Sequence, residues 1–151
     1  MSKLILGLCC LSTLLLSGQQ DQEQEVKQTI MRFFEGFHKQ DSLIMKSVIG
    51  PNPILQTLGR NKEGLTEIRN DSFDRLVEAI VSIPDTVKFE ERIHSYQISI
   101  DGPMANAWTP YEFWLNDQFS HCGVNSFQLI NDGSSWKIIY LIDTRRREDC
   151  Q

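Results

Sequence analysis

Residues 87–143 read as four long strands, 87–100, 104–116, 119–130 and 135–143, joined at Asp101-Gly102, Asp117-Gln118 and Asp132-Gly133. No other feature restricts the fold as much. Links that short return each strand beside the one before it, which makes an antiparallel meander. A sheet of that length needs a layer over one face, because its alternating apolar side chains must leave water. The cover has to come from the first half of the chain.

That half supplies helices. Val26, Ile30, Phe34 and Phe37 recur at helical spacing with Met31 and Phe33 beside them, which predicts a helix from near Asp21 to just before Asp41. Asp21 with Gln24 makes a weak start signal. Asp41 caps a short second helix, 42–48, and Gly50-Pro51-Asn52-Pro53 breaks the chain. Residues 54–58 and 65–69 read as two short strands around the polar turn GRNKEG. Asn70 or Asp71 caps a third helix with the stripe Phe73, Leu76, Val77, Ile80 and Val81, and Pro84 stops it. The expectation is an α+β fold, a curved antiparallel sheet with three N-terminal helices packed on its concave face.

Met1-Ser2-Lys3, an apolar run over 4–16, small Ser17-Gly18 and then QQDQEQE succeed one another in the order of a secretory signal peptide. The run is shorter than the roughly 20 residues of a spanning helix. Residues 1–18 are therefore expected as a signal peptide and 19–151 as a single domain. The expected destination is the periplasm or the exterior, with no membrane insertion after cleavage. Without Lys3 the mature chain has 14 basic against 20 acidic residues, a net charge of −6. Such a surface disfavours nucleic acid and anionic membranes as partners. The run Arg145-Arg146-Arg147 is succeeded at once by Glu148 and Asp149 and reads as a solvated tail. Cleavage also removes Cys9 and Cys10, which leaves Cys122 and Cys150 in an oxidising compartment. They could bridge to each other, bridge between subunits, or remain thiols.

The element order αα-ββ-α-ββββ, with the stretches VKQTIMRFFEGFHKQD, AWTPYEFWLNDQFSHCGVNSFQLI and GSSWKIIYLIDTRR, resembles the nuclear transport factor-like superfamily over nearly all of the mature chain. That superfamily includes ketosteroid isomerases, polyketide cyclases and lumazine-binding-type proteins, and exported bacterial proteins of unassigned function look similar in these stretches. The resemblance implies a cone whose interior holds a small molecule and a convex face that often dimerises. It identifies a scaffold and leaves the reaction open.

Centring the third long turn on Gly133 and the second on Asp117 gives a register. Concave rows are then Ala107–Phe127–Ile139, Thr109–Asn125–Leu141, Tyr111–Gly123–Asp143 and Phe113–His121–Arg145. Trp108, Ile138 and Tyr140 fall on the convex face, where no helix covers them, and suit a homodimer. A one-residue slip would exchange the faces.

Three concave residues carry chemistry. Asp143 could move a proton, Tyr111 could donate to a developing oxyanion, and His121 could act as base or ligand donor. Against this, Asp143 could simply pair with Arg145, and His121 could bond to backbone. Phe33, Phe34, Phe37, Thr109, Asn125 and Phe127 are the expected ligand contacts, an apolar wall with a few polar anchors. His38, at a helix end, would be favoured as a positive ring by the dipole. No two histidines share a ligand spacing, so neither metal nor cofactor is expected. His121 and Cys122 are adjacent on a strand and point to opposite faces, so they cannot form a nucleophile–base pair. Two main readings stay open: an exported binder of a small apolar or aromatic molecule, or an isomerase- or dehydratase-type enzyme in the same pocket. A third is an interaction module with a filled cone.

Overall fold

The computed structural model describes residues 6–150, with side chains from residue 20 onward, so of the expected leader only the backbone from residue 6 is described. The first helix, α1 (Leu6–His38), already runs at Asp21, so Asp21 and Gln24 sit inside it and do not start it. Its stripe of Val26, Ile30, Phe33, Phe34 and Phe37 is buried. Gln40, at a φ of 55°, ends the turn after α1. Its side-chain amide donates to the carbonyls of Ile80 and Ile83 at 2.8 and 2.6 Å, which ties the end of α1 to the end of α3. Asp41 caps α2 (Ser42–Ser47), accepting from the Leu43 and Ile44 amides. The helices α1 and α2 meet at Gly36, where an added Cβ would stand 2.7 Å from the Met45 nitrogen.

The chain continues through β1 (Ile49–Arg60) and β2 (Thr66–Asp71) into α3 (Phe73–Val81). Ser72 is the cap of α3, because β2 runs on through Asn70 and Asp71. Then come β3 (Phe89–Ile93), β4 (Gln97–Asp101), β5 (Met104–Leu115), β6 (Gln118–Asn131) and β7 (Trp136–Thr144). The sheet order is β2-β1-β7-β6-β5-β3, with β4 also on β5. The α+β expectation holds, with two corrections. The sheet is mixed: β1 and β7 run parallel, with Thr57 opposite Asp143. Turn signals govern only strands adjacent in sequence and could not reveal that pair. The expected strand 87–100 is also interrupted. His94, Ser95 and Tyr96 face only Thr109 and Pro110, since Ile93 pairs with Tyr111 and Gln97 with Trp108. Pro110 has no amide to continue the ladder, though its carbonyl still accepts from His94.

The β5–β6 register is the predicted one from Met104 to Phe113. The β6–β7 register differs at two places. The last turn holds four residues, 132–135, with the Asp132 carboxylate accepting from the Ser134 and Ser135 amides, so Asn131 faces Trp136. A bulge then inserts Ile139, and Gln128 faces Tyr140. The first difference turns Trp136 and Ile138 into the core, each 2 % exposed, which removes Ile138 from the convex face. The second restores the predicted sides for Leu141 and Asp143, each two residues from its expected row: Phe127 faces Leu141 and Asn125 faces Asp143.

The helices α1 and α3 cover the concave face around a core that includes Ile30, Val77, Ala107, Phe127 and Leu129. Phe127 and Ile30 are fully buried. Truncating either to alanine should cost roughly 2–5 kcal/mol, the transfer loss plus an unfilled cavity. Among the described residues no helix is long and apolar enough to cross a membrane.

Candidate functional site

The three α1 phenylalanines fill one half of the cone. Phe33 and Phe34 stack their edges on Phe127, with ring centroids 6.4 and 6.2 Å away. This is why Phe127 and Thr109, both expected ligand contacts, are sealed at 0 % exposure and do not line the cavity. The Thr109 hydroxyl points at the Asn125 carbonyl. What stays open is the other half, a cavity of about 260 Å³. Phe33, Phe34 and Phe37 form its wall with Leu76 and Ile80 of α3. Asp143, Tyr111, His121 and Asn125 meet at its polar end, so four of the polar residues read from the sequence share one space.

Thr57, Glu91 and Arg145 join them there, three residues that the sequence alone does not single out as site residues. Glu91 carries a readable signal. Phe89, Glu91 and Ile93 alternate inward on β3, which puts a carboxylate between two core-facing side chains. Thr57 carries none, because only the parallel pairing of β1 with β7 brings it across.

Asp143 is 7 % exposed and is held by three groups. The Thr57 hydroxyl donates to its Oδ1 at 2.5 Å and the Arg145 Nε–H to its Oδ2 at 2.7 Å. The Tyr111 hydroxyl lies 3.3 Å from that same Oδ2 and 3.0 Å from the Thr144 carbonyl. The pairing of Asp143 with Arg145, open in the sequence, is therefore present. Tyr111 has its one proton engaged by protein acceptors. Burial and the charges of Asp143 and Glu91 push its ionisation well above the ordinary tyrosine value.

The carboxyl with a shifted proton affinity is Glu91. Burial raises it from 4.5 to about 7; the Asn125 amide opposes this by donating at 2.6 Å, and the nearby Asp143 charge adds to the rise. His121 stacks on Phe113 at 5.0 Å and bonds to Ser120 through Nδ1. Burial first, then the Arg145 and Arg147 charges, lower its pKa. His38 differs from expectation. Its Nε2 accepts the Glu91 amide at 2.9 Å, and burial lowers its pKa, so it serves as a neutral cap on the edge strand that carries Glu91.

Gly123 sits where a Cβ would collide with the Thr144 carbonyl and crowd Tyr111. The chain beyond β7 pairs once more, Cys122 with Arg146, and then turns so that Cys122 and Cys150 are bonded, with Cα atoms 5.8 Å apart. Trp114 and Trp136 do not line the cavity. Trp114 bonds to Glu112 under Arg92, and the Trp136 Nε1–H has no partner among the described residues.

No family model and no curated protein matches the chain. Solved structures do. An NTF2-like protein of unknown function from Shewanella baltica aligns with a TM-score of 0.60 at 15 % identity, over 83 % of this chain and 94 % of its own. A candidate scytalone dehydratase from Novosphingobium aromaticivorans gives 0.68 at 7 % identity, over 87 % and 88 %. A candidate dehydratase of the NTF2-like family from Streptomyces avermitilis gives 0.63 at 9 % identity, over 85 % and 98 %. At these identities the likeness gives the fold: the chain has the nuclear transport factor-like cone, helices with a curved, unclosed mixed sheet after them.

Proposed function

We propose that the protein is an exported binder of a small, largely apolar or aromatic molecule, held in the open half of the cone. The observation that carries this reading is the cavity itself. Core side chains fill one half of the cone, and the other keeps about 260 Å³ between an aromatic wall and converging polar groups. Ligand pockets commonly run roughly 300–1,000 Å³, so the occupant is small. The filled-cone reading has less support, because the vacant half is walled by five apolar side chains from two helices.

A second reading, proton-transfer chemistry in the same pocket, is favoured by one observation. Glu91, with its carboxyl near 7 and Asn125 on one oxygen, is a group that can both hold and release a proton at neutral pH. It would work beside His121, while Asp143 and Tyr111 hold the polar end in shape. Two structures with this fold are named as candidate dehydratases, which suits such chemistry.

Native mass spectrometry of the protein purified from its own host tests the first reading. A stoichiometric small-molecule adduct is expected, and Leu141→Trp, which fills the cavity from β7, should abolish it while the protein stays folded. A bare mass under gentle conditions, unchanged by Leu141→Trp, would count against it. If the released compound is turned over, Glu91→Gln should slow turnover by about 10²–10⁴-fold. Unchanged turnover would remove Glu91 from the chemistry.

A further inference from the structure

The geometry points to an anionic ligand: an apolar or aromatic body inside the cone, carrying one carboxylate against Arg145 and Arg147 at the cone mouth. This rests on the cavity reading above and adds the charge of the occupant. The run 145–147 looks in sequence like a solvated tail, but the fold gives it another place. After β7 the chain pairs Arg146 with Cys122, and the Cys122–Cys150 bridge pins the last few residues beyond that pair. Alternation along the strand then sends Arg145 to the cavity side, where it lines the interior.

Arg145 also lines a second, open groove of about 740 Å³ outside the mouth, together with Arg60, Arg146 and Arg147. It is the side chain shared by the two spaces. Four guanidinium groups meet there against two carboxylates, Glu148 and Asp149, in a chain whose formal net charge is −5. Arg146 is engaged by the Asp149 carbonyl and Arg60 by the Gly64 carbonyl. Arg147 has no hydrogen bond among the described residues. Arg145 spends only Nε on Asp143, so its two terminal nitrogens stay available.

A guanidinium with free terminal donors matches a carboxylate fork. The cationic field reaches inward as well, since Arg145 and Arg147 both disfavour the charged form of His121. The interior acids do not cancel the attraction. Asp143 is already paired with Arg145, Asp71 lies 3.6 Å from the Arg75 guanidinium, and Glu91 is largely protonated on the acid side of neutrality. A neutral ligand would leave the Arg145 terminal donors to water alone. A cationic one would meet the rim arginines first.

The test compares 2-naphthoate with its neutral isostere 2-naphthamide by isothermal titration at pH 6.5 on the full folded protein. Naphthoate should bind at least about tenfold tighter, the scale of one charged hydrogen-bonded contact. Arg145→Gln should remove most of that preference, and Arg147→Gln should reduce it about threefold, a smaller unpaired charge effect. Neither should change naphthamide binding more than about twofold. Arg92→Gln, an equal change of net charge at Trp114, should leave both affinities alone. Arg147→Gln disturbs no hydrogen bond, so it reads the rim even if Arg145→Gln loosens Asp143.

If naphthamide binds as well as naphthoate, the anion assignment is overturned while the cavity reading stands. A preference that survives in both rim variants also overturns it, by placing the carboxylate elsewhere. Absence of saturable binding by either probe into the millimolar range overturns both this inference and the cavity reading.

Discussion

Glu91 is the residue whose environment makes the sharpest demand on the fold. Its carboxyl is raised to about 7 from an ordinary 4.5, chiefly by burial. A carboxyl raised in the folded state favours folding below its unfolded pKa, and that contribution is lost as pH rises through the folded one. The protein should therefore lose up to about 3 kcal/mol from this group between pH 4.5 and somewhat above 7. Glu91→Gln keeps the shape and removes the titration. Urea unfolding should show the variant close to wild type at pH 4.5 and more stable by about 1–3 kcal/mol at pH 8. Equal stability at both pH values would mean that water reaches Glu91 freely. Sequence alternation alone places this side chain inward; its partner Asn125 lies 34 residues away, joined through two strand registers. The acid expected to titrate, Asp143, does lie in the cone. Of its three neighbours, Tyr111 and Arg145 stand beside it in the sequence reading, while Thr57 could not be read, since it arrives by the parallel pair.

At the scale of elements, helices and turns are more legible than registers. The stripe of α1, the α2 cap at Asp41 and the α3 stripe are local patterns, and local patterns are what a sequence displays. The β5–β6 register comes from a turn over Asn116 and Asp117 that starts the pairing one residue off the predicted one, and from a bulge at Ser120 that restores the predicted pairing from Phe113 on. The β6–β7 register depends on a four-residue turn and a bulge, neither marked by an unusual residue at Ile139. The two one-residue differences add beyond the bulge to a shift of two, which keeps the face, so Leu141 and Asp143 face as expected while Ile138 does not. The tail after β7 makes an element of its own. Its bridge closes a span of 28 residues, worth about 3–4 kcal/mol in the chain-entropy account. Cys150→Ser should lower stability by about that much, and free the segment after Thr144. Amide exchange checks the second part: the Cys122 and Arg146 amides, bonded to each other's carbonyls at 2.9 Å, should lose protection before the rest of β6. Protection unchanged in the variant would show that strand pairing holds the tail without the bridge.

Among the described residues, helices cover one sheet face only, and at the scale of the whole molecule this asymmetry has a consequence for assembly. The three helices bury the concave side, while the convex side presents Met104, Trp108, Pro110, Val124, Tyr140 and Ile142 in varying degrees of exposure. Trp108 is 48 % exposed near the middle of β5, between Ser126 of β6 and Gln97 of β4. Tyr140 is half-buried and its hydroxyl is fixed by Gln56 at 2.6 Å, so it offers a flat, ordered surface. An apolar stretch of this kind on a rigid sheet suits isologous pairing about a two-fold axis, each Trp108 packing on the partner's sheet. The chain should therefore sediment as a dimer at micromolar concentration. Trp108→Asp should weaken that dimer by about 30-fold or more, the scale of a central aromatic anchor, without changing the unfolding midpoint of the monomer. Sedimentation velocity over a concentration series separates the outcomes. A wild-type chain that stays monomeric at about 100 times that concentration would set the homodimer aside and leave Trp108 as a solvent-exposed side chain of the sheet.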